Sequence, residues 1–258
     1  MTAAGWAGAV ERLAAARRLL VALDFDGTLA PLVADPDLSR MAPGAASALA
    51  RLSLIGRVQL ALVSGRPAAD LARLAQPPGG TLLVGSHGAE RGRMAGGRAA
   101  LEPVALSPAR ADRLKAISSG LARLAASAPG AWVEAKPFAA VFHTRPMANR
   151  DAAARLQARA AELGRDLGGH VLPGKMVVEV SVLPAGKAAA LARLKRAVQA
   201  DRLVFAGDDT TDELALRQIR PPDLGIKVGL GRTAAELRLP DPPAVVRFLD
   251  HLATALAA

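Results

Sequence analysis

Five apolar residues, Leu19-Leu20-Val21-Ala22-Leu23, follow one another without a polar break. A strand with one wet face alternates, whereas a strand covered on both faces reads as a continuous apolar run. Further strands rich in apolar residues are expected at Val58–Val63, Thr81–Val84, Asp201–Phe205 and Leu224–Val228. Ala/Leu/Arg stretches with helical periodicity separate them, and Pro67 opens one at a favoured first-turn position. Strands alternating with helices predict an α/β fold, a parallel sheet joined by crossover helices. Ahead of the first strand, Met1–Arg18 is Ala-rich with Glu11, Arg12, Arg17 and Arg18, and predicts an amphipathic helix leading into it.

From about Arg91 to Leu183 the pattern changes. Trp132–Lys136, Ala140–His143 and Met176–Val180 alternate more, and helices are expected over Pro108–Ala126 and Ala148–Leu163. A helix followed by a strand-strand-helix-strand-strand unit with one wet face fits an inserted α+β domain. The expected organisation is a core of residues 1–92 and 184–258 with a cap of residues 93–183, Gly96-Gly97 and Leu183-Pro184 lying near its hinges.

At 51% apolar residues, 258 residues suffice for a substantial core. There is no apolar run of eighteen, so no membrane span is expected. Cysteine is absent, which excludes thiol chemistry and suits a reducing compartment; a cytoplasmic location is the expectation. The net charge of +10 could attract nucleic acid or a small anion. The positives are spread through helices, aromatics are 3% and Tyr is absent, so surfaces for stacking bases are scarce and nucleic acid is not an expected partner. Positive charge is written as Arg by default, so a lysine kept here hints at a need for a compact ammonium, although Lys115 and Lys195 read as ordinary helix-surface residues.

Four segments carry candidate chemistry. In Asp24-Phe25-Asp26-Gly27-Thr28, two carboxylates share one side of a strand end, at the edge where open α/β sheets bind ligands. One could attack phosphorus while the other moves protons; a plain Asp-Gly turn is the alternative. Ser64-Gly65-Arg66 follows the second strand, and by itself is equally a capped turn. Lys187 starts a helix. Asp208, Asp209, Asp212 and Glu213 crowd another helix start, where the dipole favours anions. Four acids repel one another unless a cation compensates, and a hard divalent ion suits oxygen ligands.

In this order the four segments resemble the haloacid dehalogenase superfamily of phosphotransferases, over about residues 19–90 and 184–240. The resemblance implies a Rossmannoid core and an aspartyl-phosphate intermediate. Asp24 would be the nucleophile and Asp26 the general acid and base. Ser64 would donate to a phosphoryl oxygen, and Lys187 would contact the phosphate and Asp24. Mg²⁺ would lie between Asp24, the Asp26 carbonyl and Asp208, with Asp209 and Asp212 behind it.

Further segments narrow the resemblance. They are Leu29-Ala30-Pro31, Gly85–Glu90, Val133–Lys136, His143-Thr144-Arg145, Gly174–Glu179, Ile226–Gly229 and Leu239-Pro240. Together they resemble the trehalose-6-phosphate phosphatases over nearly the whole chain after residue 19. This implies conversion of trehalose 6-phosphate to trehalose and phosphate, with a lid that closes over the sugar. Glu134, Lys136, Lys175 and Glu179 would line its sugar-facing side, helped by His87, Glu90 and Arg145, and Arg66 would join the substrate contacts. A trehalose-6-phosphate synthase is a possible partner. Thr144 stands where the family often has an aromatic, and Val180-Ser181-Val182 where Arg-Pro often follows the Glu. Another sugar phosphate, of sucrose or mannosylglycerate type, is the near alternative, and a non-catalytic phosphosugar-binding domain the distant one.

Overall fold

The computed structural model describes residues 6–184 and 186–258; Met1–Gly5, the start of the expected first helix, lies outside them. The chain runs α1 (Ala7–Ala14), β1 (Leu19–Leu23), α2 (Ala45–Ser53), β2 (Val58–Val63), α3 (Ala68–Ala75), β3 (Leu82–Gly85), β4 (Glu90–Ala95) and β5 (Arg98–Leu101). It continues with α4 (Pro108–Ala126), β6 (Trp132–Ala135), β7 (Ala139–His143), α5 (Arg150–Asp166), β8 (His170–Gly174) and β9 (Val177–Ser181). It closes with α6 (Lys187–Ala197), β10 (Arg202–Gly207), α7 (Thr210–Leu216), β11 (Leu224–Val228), β12 (Leu237–Leu239) and α8 (Pro242–Ala257).

Two compact units result, Met1–Glu102 with Gly186–Ala258, and Pro103–Ala185. The first holds an eight-stranded sheet in the order β12-β11-β10-β1-β2-β3-β4-β5. Every pairing from β12 to β3 is parallel, and β4 and β5 add an antiparallel edge. The continuous apolar runs have the predicted consequence. Leu19, Val21 and Leu23 face a core shared with α1, α2, α3 and α8. Leu20 and Ala22 face the opposite core, with α6, α7 and Phe205. Because both faces are dry, polar chemistry is confined to the strand ends.

The expected boundary after residue 92 cuts a hairpin. β4 pairs with β3, and Gly96 and Gly97 form the tight turn into β5 at φ +55° and +75°. Two residues at positive φ match the twist of a hairpin, so this glycine pair turns a core hairpin instead of hinging a domain.

In the second unit, β6-β7-β9-β8 form an antiparallel sheet. Ala140, Phe142, Val178 and Val180 pack against Ile117, Leu121 and Leu124 of α4, and Ala160 of α5. The alternate positions Trp132, Glu134, His143 and Glu179 therefore share the opposite face. No described helix is long and apolar enough to cross a membrane.

Phe205 on β10 is fully buried. Phe205→Ala should cost about 3–5 kcal/mol, read as a lower denaturation midpoint at unchanged slope. Leu54→Ala, at a position 86% exposed, should shift stability by no more than about 0.5 kcal/mol.

Candidate active site

The carboxyl ends of β1 and β10 are hydrogen-bonded neighbours, so the loops that leave these two strands converge. Asp24 continues β1, its amide donating to Ala206 O at 2.9 Å. Gly27 turns the chain at φ +77°, and a Cβ there would collide with the Asp208 carboxylate. Gly207 ends β10, where a Cβ would strike Asp212. Both glycines are required by close approach to an acidic side chain.

Lys187, at the first turn of α6, is 3% exposed. Its ammonium lies 2.8 Å from Asp24 Oδ1 and 2.6 Å from Asp212 Oδ1. Asp212 Oδ2 accepts from the amides of Asp208 at 3.0 Å and Asp209 at 3.1 Å. Asp209 in turn accepts from the Asp212 amide at 2.8 Å, completing a reciprocal cap on α7. Glu213 turns away, accepting from the Ala234 amide at 2.7 Å. Lys227 is buried on β11 and donates to the Asp208 carbonyl.

The cluster is short of positive charge. Among the described residues, Asp24, Asp208, Asp209 and Asp212 face two ammonium groups, Lys187 and Lys227. Burial pushes Asp24 up to about 7, against the pull of Lys187 and with the repulsion of Asp208 and Asp209. Burial, with Asp212 and Asp209 nearby, pushes Asp208 up to about 7. Asp212 is raised by burial and by Asp24, with Lys187 opposing. Burial also acts on Asp209, but Lys187 and the cap hydrogen bonds outweigh it and hold that carboxyl at about 2. For Lys187, burial opposes the charge, and Asp212, Asp24 and Asp209 outweigh it, so the ammonium is held charged. Asp24, Asp208 and Asp212 each bring one oxygen within 4.8 Å of the others. This crowding of carboxyl groups and the hard-oxygen donor set fit a divalent cation.

Asp26 is held from two sides. Arg66 grips it with Nε at 2.5 Å from Oδ2 and Nη2 at 2.7 Å from Oδ1, and Ser39 Oγ donates to Oδ1 at 2.9 Å. Arg66, expected to touch substrate, here orients Asp26. Ser64 is buried after β2, and its Oγ accepts from the Arg66 amide at 3.2 Å. His87 takes φ +53°, and its ring lies where a Cβ on Gly65 would sit. Glu90, expected beside the sugar, directs Oε2 to the Ala68 amide at 3.0 Å and to Ser86 Oγ at 2.7 Å. It thereby caps α3 and braces the turn before β4.

On the polar face of the second unit, Lys136 Nζ lies 2.7 Å from Glu179 Oε2, and His143 Nε2 lies 3.0 Å from Glu134 Oε2. The Trp132 and His143 rings stack with centroids 3.9 Å apart at 5°. Burial lowers the His143 pKa, with Glu134 opposing. Arg145 and Lys175 are exposed at the end of the sheet where β7 stops and β8 turns into β9. The two departures from the family pattern are internal: buried Thr144 donates to Met176 O, and buried Ser181 donates to Phe138 O.

A mostly parallel core sheet with acids at its carboxyl edge, carrying a separate α+β unit, is the haloacid dehalogenase-like fold. The trehalose-phosphatase family profile matches residues 22–240, and the chain belongs to that family. A trehalose-phosphate phosphatase of Mycobacterium tuberculosis is 34% identical over 254 residues, covering 93% of this chain and 63% of that protein. An uncharacterized glycosyl hydrolase of the same organism is 35% identical over 257 residues, covering 95% of this chain and 19% of that protein. The chain thus spans less than two thirds of either relative. The crystal structure of a trehalose-6-phosphate phosphatase related protein matches with a TM-score of 0.69 at 26% identity, covering 91% of this chain and 97% of that one.

Asp24 and Asp208 have folded-state pKa values near 7, above the ordinary 3.8. Between about pH 4 and pH 7 the native protein therefore binds more protons than the unfolded chain, and stability from this site falls as pH rises. In metal-free protein, Lys187→Met should cost about 3–5 kcal/mol at pH 8, as expected when one member of a buried ion pair is removed. At pH 5, where Asp24 is protonated, the loss should be smaller. Urea unfolding at the two pH values measures both.

Proposed function

We propose that this chain hydrolyses trehalose 6-phosphate to trehalose and phosphate through an aspartyl-phosphate intermediate. The observation that carries the proposal is Asp24, buried and aligned by Lys187 at the carboxyl edge of the sheet in a chain of the trehalose-phosphatase family. Asp24 attacks phosphorus as the bond to the sugar oxygen breaks, and an acyl phosphate forms. Asp26 delivers its proton to the leaving oxygen, then takes one from the water that cleaves the acyl phosphate, releasing phosphate and restoring Asp24. Ser64 and Lys187 donate to phosphoryl oxygens, and Lys187 keeps Asp24 oriented. Asp24, Asp208 and the Asp26 carbonyl would hold Mg²⁺, which when bound neutralises repulsion between carboxylate and phosphate. Asp212 has both oxygens engaged by protein groups and serves to orient the cluster.

Glu134, Lys136, Lys175, Glu179 and Arg145 supply charged donors and acceptors suited to sugar hydroxyls. A wrong sugar would leave some of them unpaired, which is the source of discrimination. A cytoplasmic location and a trehalose-6-phosphate synthase as partner belong to the same proposal, which co-purification checks. The intact set of Asp24, Asp26, Lys187 and Asp208 supports turnover over mere binding.

Phosphate release from trehalose 6-phosphate, sucrose 6-phosphate, glucose 6-phosphate and an aryl phosphate tests the proposal. Trehalose 6-phosphate should be preferred, with activity lost to a chelator and to Asp24→Asn. Preference for another ester would keep the chemistry and overturn the substrate. Glu179→Ala should lower kcat/KM for trehalose 6-phosphate about 10–100-fold, the worth of a charge-assisted hydrogen bond, while sparing the aryl phosphate.

A further inference from the structure

Ser39 lies outside every motif of the chain, yet it is fully buried and its hydroxyl donates to Asp26 Oδ1 at 2.9 Å. The loop that delivers it is braced at several points. Asp35 caps the short turn Pro36–Leu38 by accepting from the Asp37 amide at 3.0 Å. Arg40 donates to the carbonyls of Asp37 and Ser39 at 2.9 and 2.8 Å. Beyond it, the Ala42 amide donates to Leu29 O at 2.7 Å, which ties the loop to the turn that carries Asp26. A buried hydroxyl on a braced loop is a fixed partner.

Asp26 has a second partner in Arg66, whose guanidinium contacts both carboxylate oxygens. A guanidinium only donates, whereas a hydroxyl can donate or accept. Ser39 can therefore stay bonded to Asp26 whether the carboxyl group is charged or protonated, as a group that alternately gives and takes a proton requires.

We propose that Ser39 is a positioning residue for Asp26, fixing the rotation of its carboxyl group for proton transfer to the leaving sugar oxygen. The proposal rests on the phosphatase reading above. It separates from a merely structural role because a sugar alkoxide needs a proton to leave, whereas an aryl oxide leaves readily without one. In kcat/KM, which ends with formation of the acyl phosphate and so omits the hydrolysis step that both esters share, a misaligned acid slows only the first.

The test is kcat/KM of Ser39→Ala on trehalose 6-phosphate and on p-nitrophenyl phosphate, measured on one preparation with Mg²⁺. The ratio of the two cancels any fraction of unfolded enzyme. General-acid catalysis is worth about 10²–10⁴-fold, and misalignment should forfeit part of it. The ratio should fall about 10-fold, and Ser39→Thr, which keeps the hydroxyl, should restore most of it. An unchanged ratio in Ser39→Ala, with wild type active on the sugar ester, overturns the proposal and leaves the phosphatase reading standing. A wild-type chain inert on both esters overturns the two together.

Discussion

One buried ammonium shared between two carboxylates organises this protein. Lys187 touches both Asp24 and Asp212 in a place with almost no solvent. A single unpaired charge there would be prohibitive, and the four neighbouring carboxylates outnumber the two lysines. The site resolves part of the conflict internally, through amide hydrogen bonds to Asp212 and the cap at Asp209. The rest is left as raised carboxyl groups, Asp24 and Asp208 to about 7 and Asp212 above its ordinary range, in a cluster that could hold a metal ion.

The fold exists to make this crowding possible. Parallel β1 and β10 end side by side, so the residues after Leu23 and Gly207 meet without a long loop. Both sheet faces are sealed by apolar side chains, and charge is admitted only at the edge. Gly27 and Gly207 remove the methyl groups that would hold the carboxylates apart. The second unit divides its strands differently, with one face given to packing on α4 and α5 and the other to charged and aromatic groups.

Much of this was readable from residue order. A run such as Leu19–Leu23 between helical stretches fits a strand covered on both faces, and three of the four chemical segments sit directly after such strands, Lys187 instead opening α6. The cap was expected to begin at residue 93 with Gly96-Gly97 near a hinge, and the glycine pair instead turns the hairpin of β4 and β5 at the edge of the core sheet. Ser39 left no local signal, since its role depends on a loop folding back thirteen residues after Asp26. Lys227 was visible only as a lysine in an apolar strand of an Arg-rich chain, a hint that its burial explains. Glu90 and Arg66 were expected to contact substrate, and each carries a bond within the protein that residue type does not reveal. Thr144, a departure from the family pattern, has its hydroxyl bonded inside the second unit.

The carboxylate cluster holds more acids than ammonium groups, a mismatch that a bound divalent cation would relieve. Titration calorimetry of metal-free protein with Mg²⁺, repeated at pH 7 in buffers of different ionisation enthalpy, measures it directly, because metal must displace protons held by raised carboxyls. One ion should bind per chain, with protons released at pH 7, none released at pH 9, and binding abolished in Asp208→Asn. Absence of binding, or binding without proton release that survives Asp208→Asn, would contradict it.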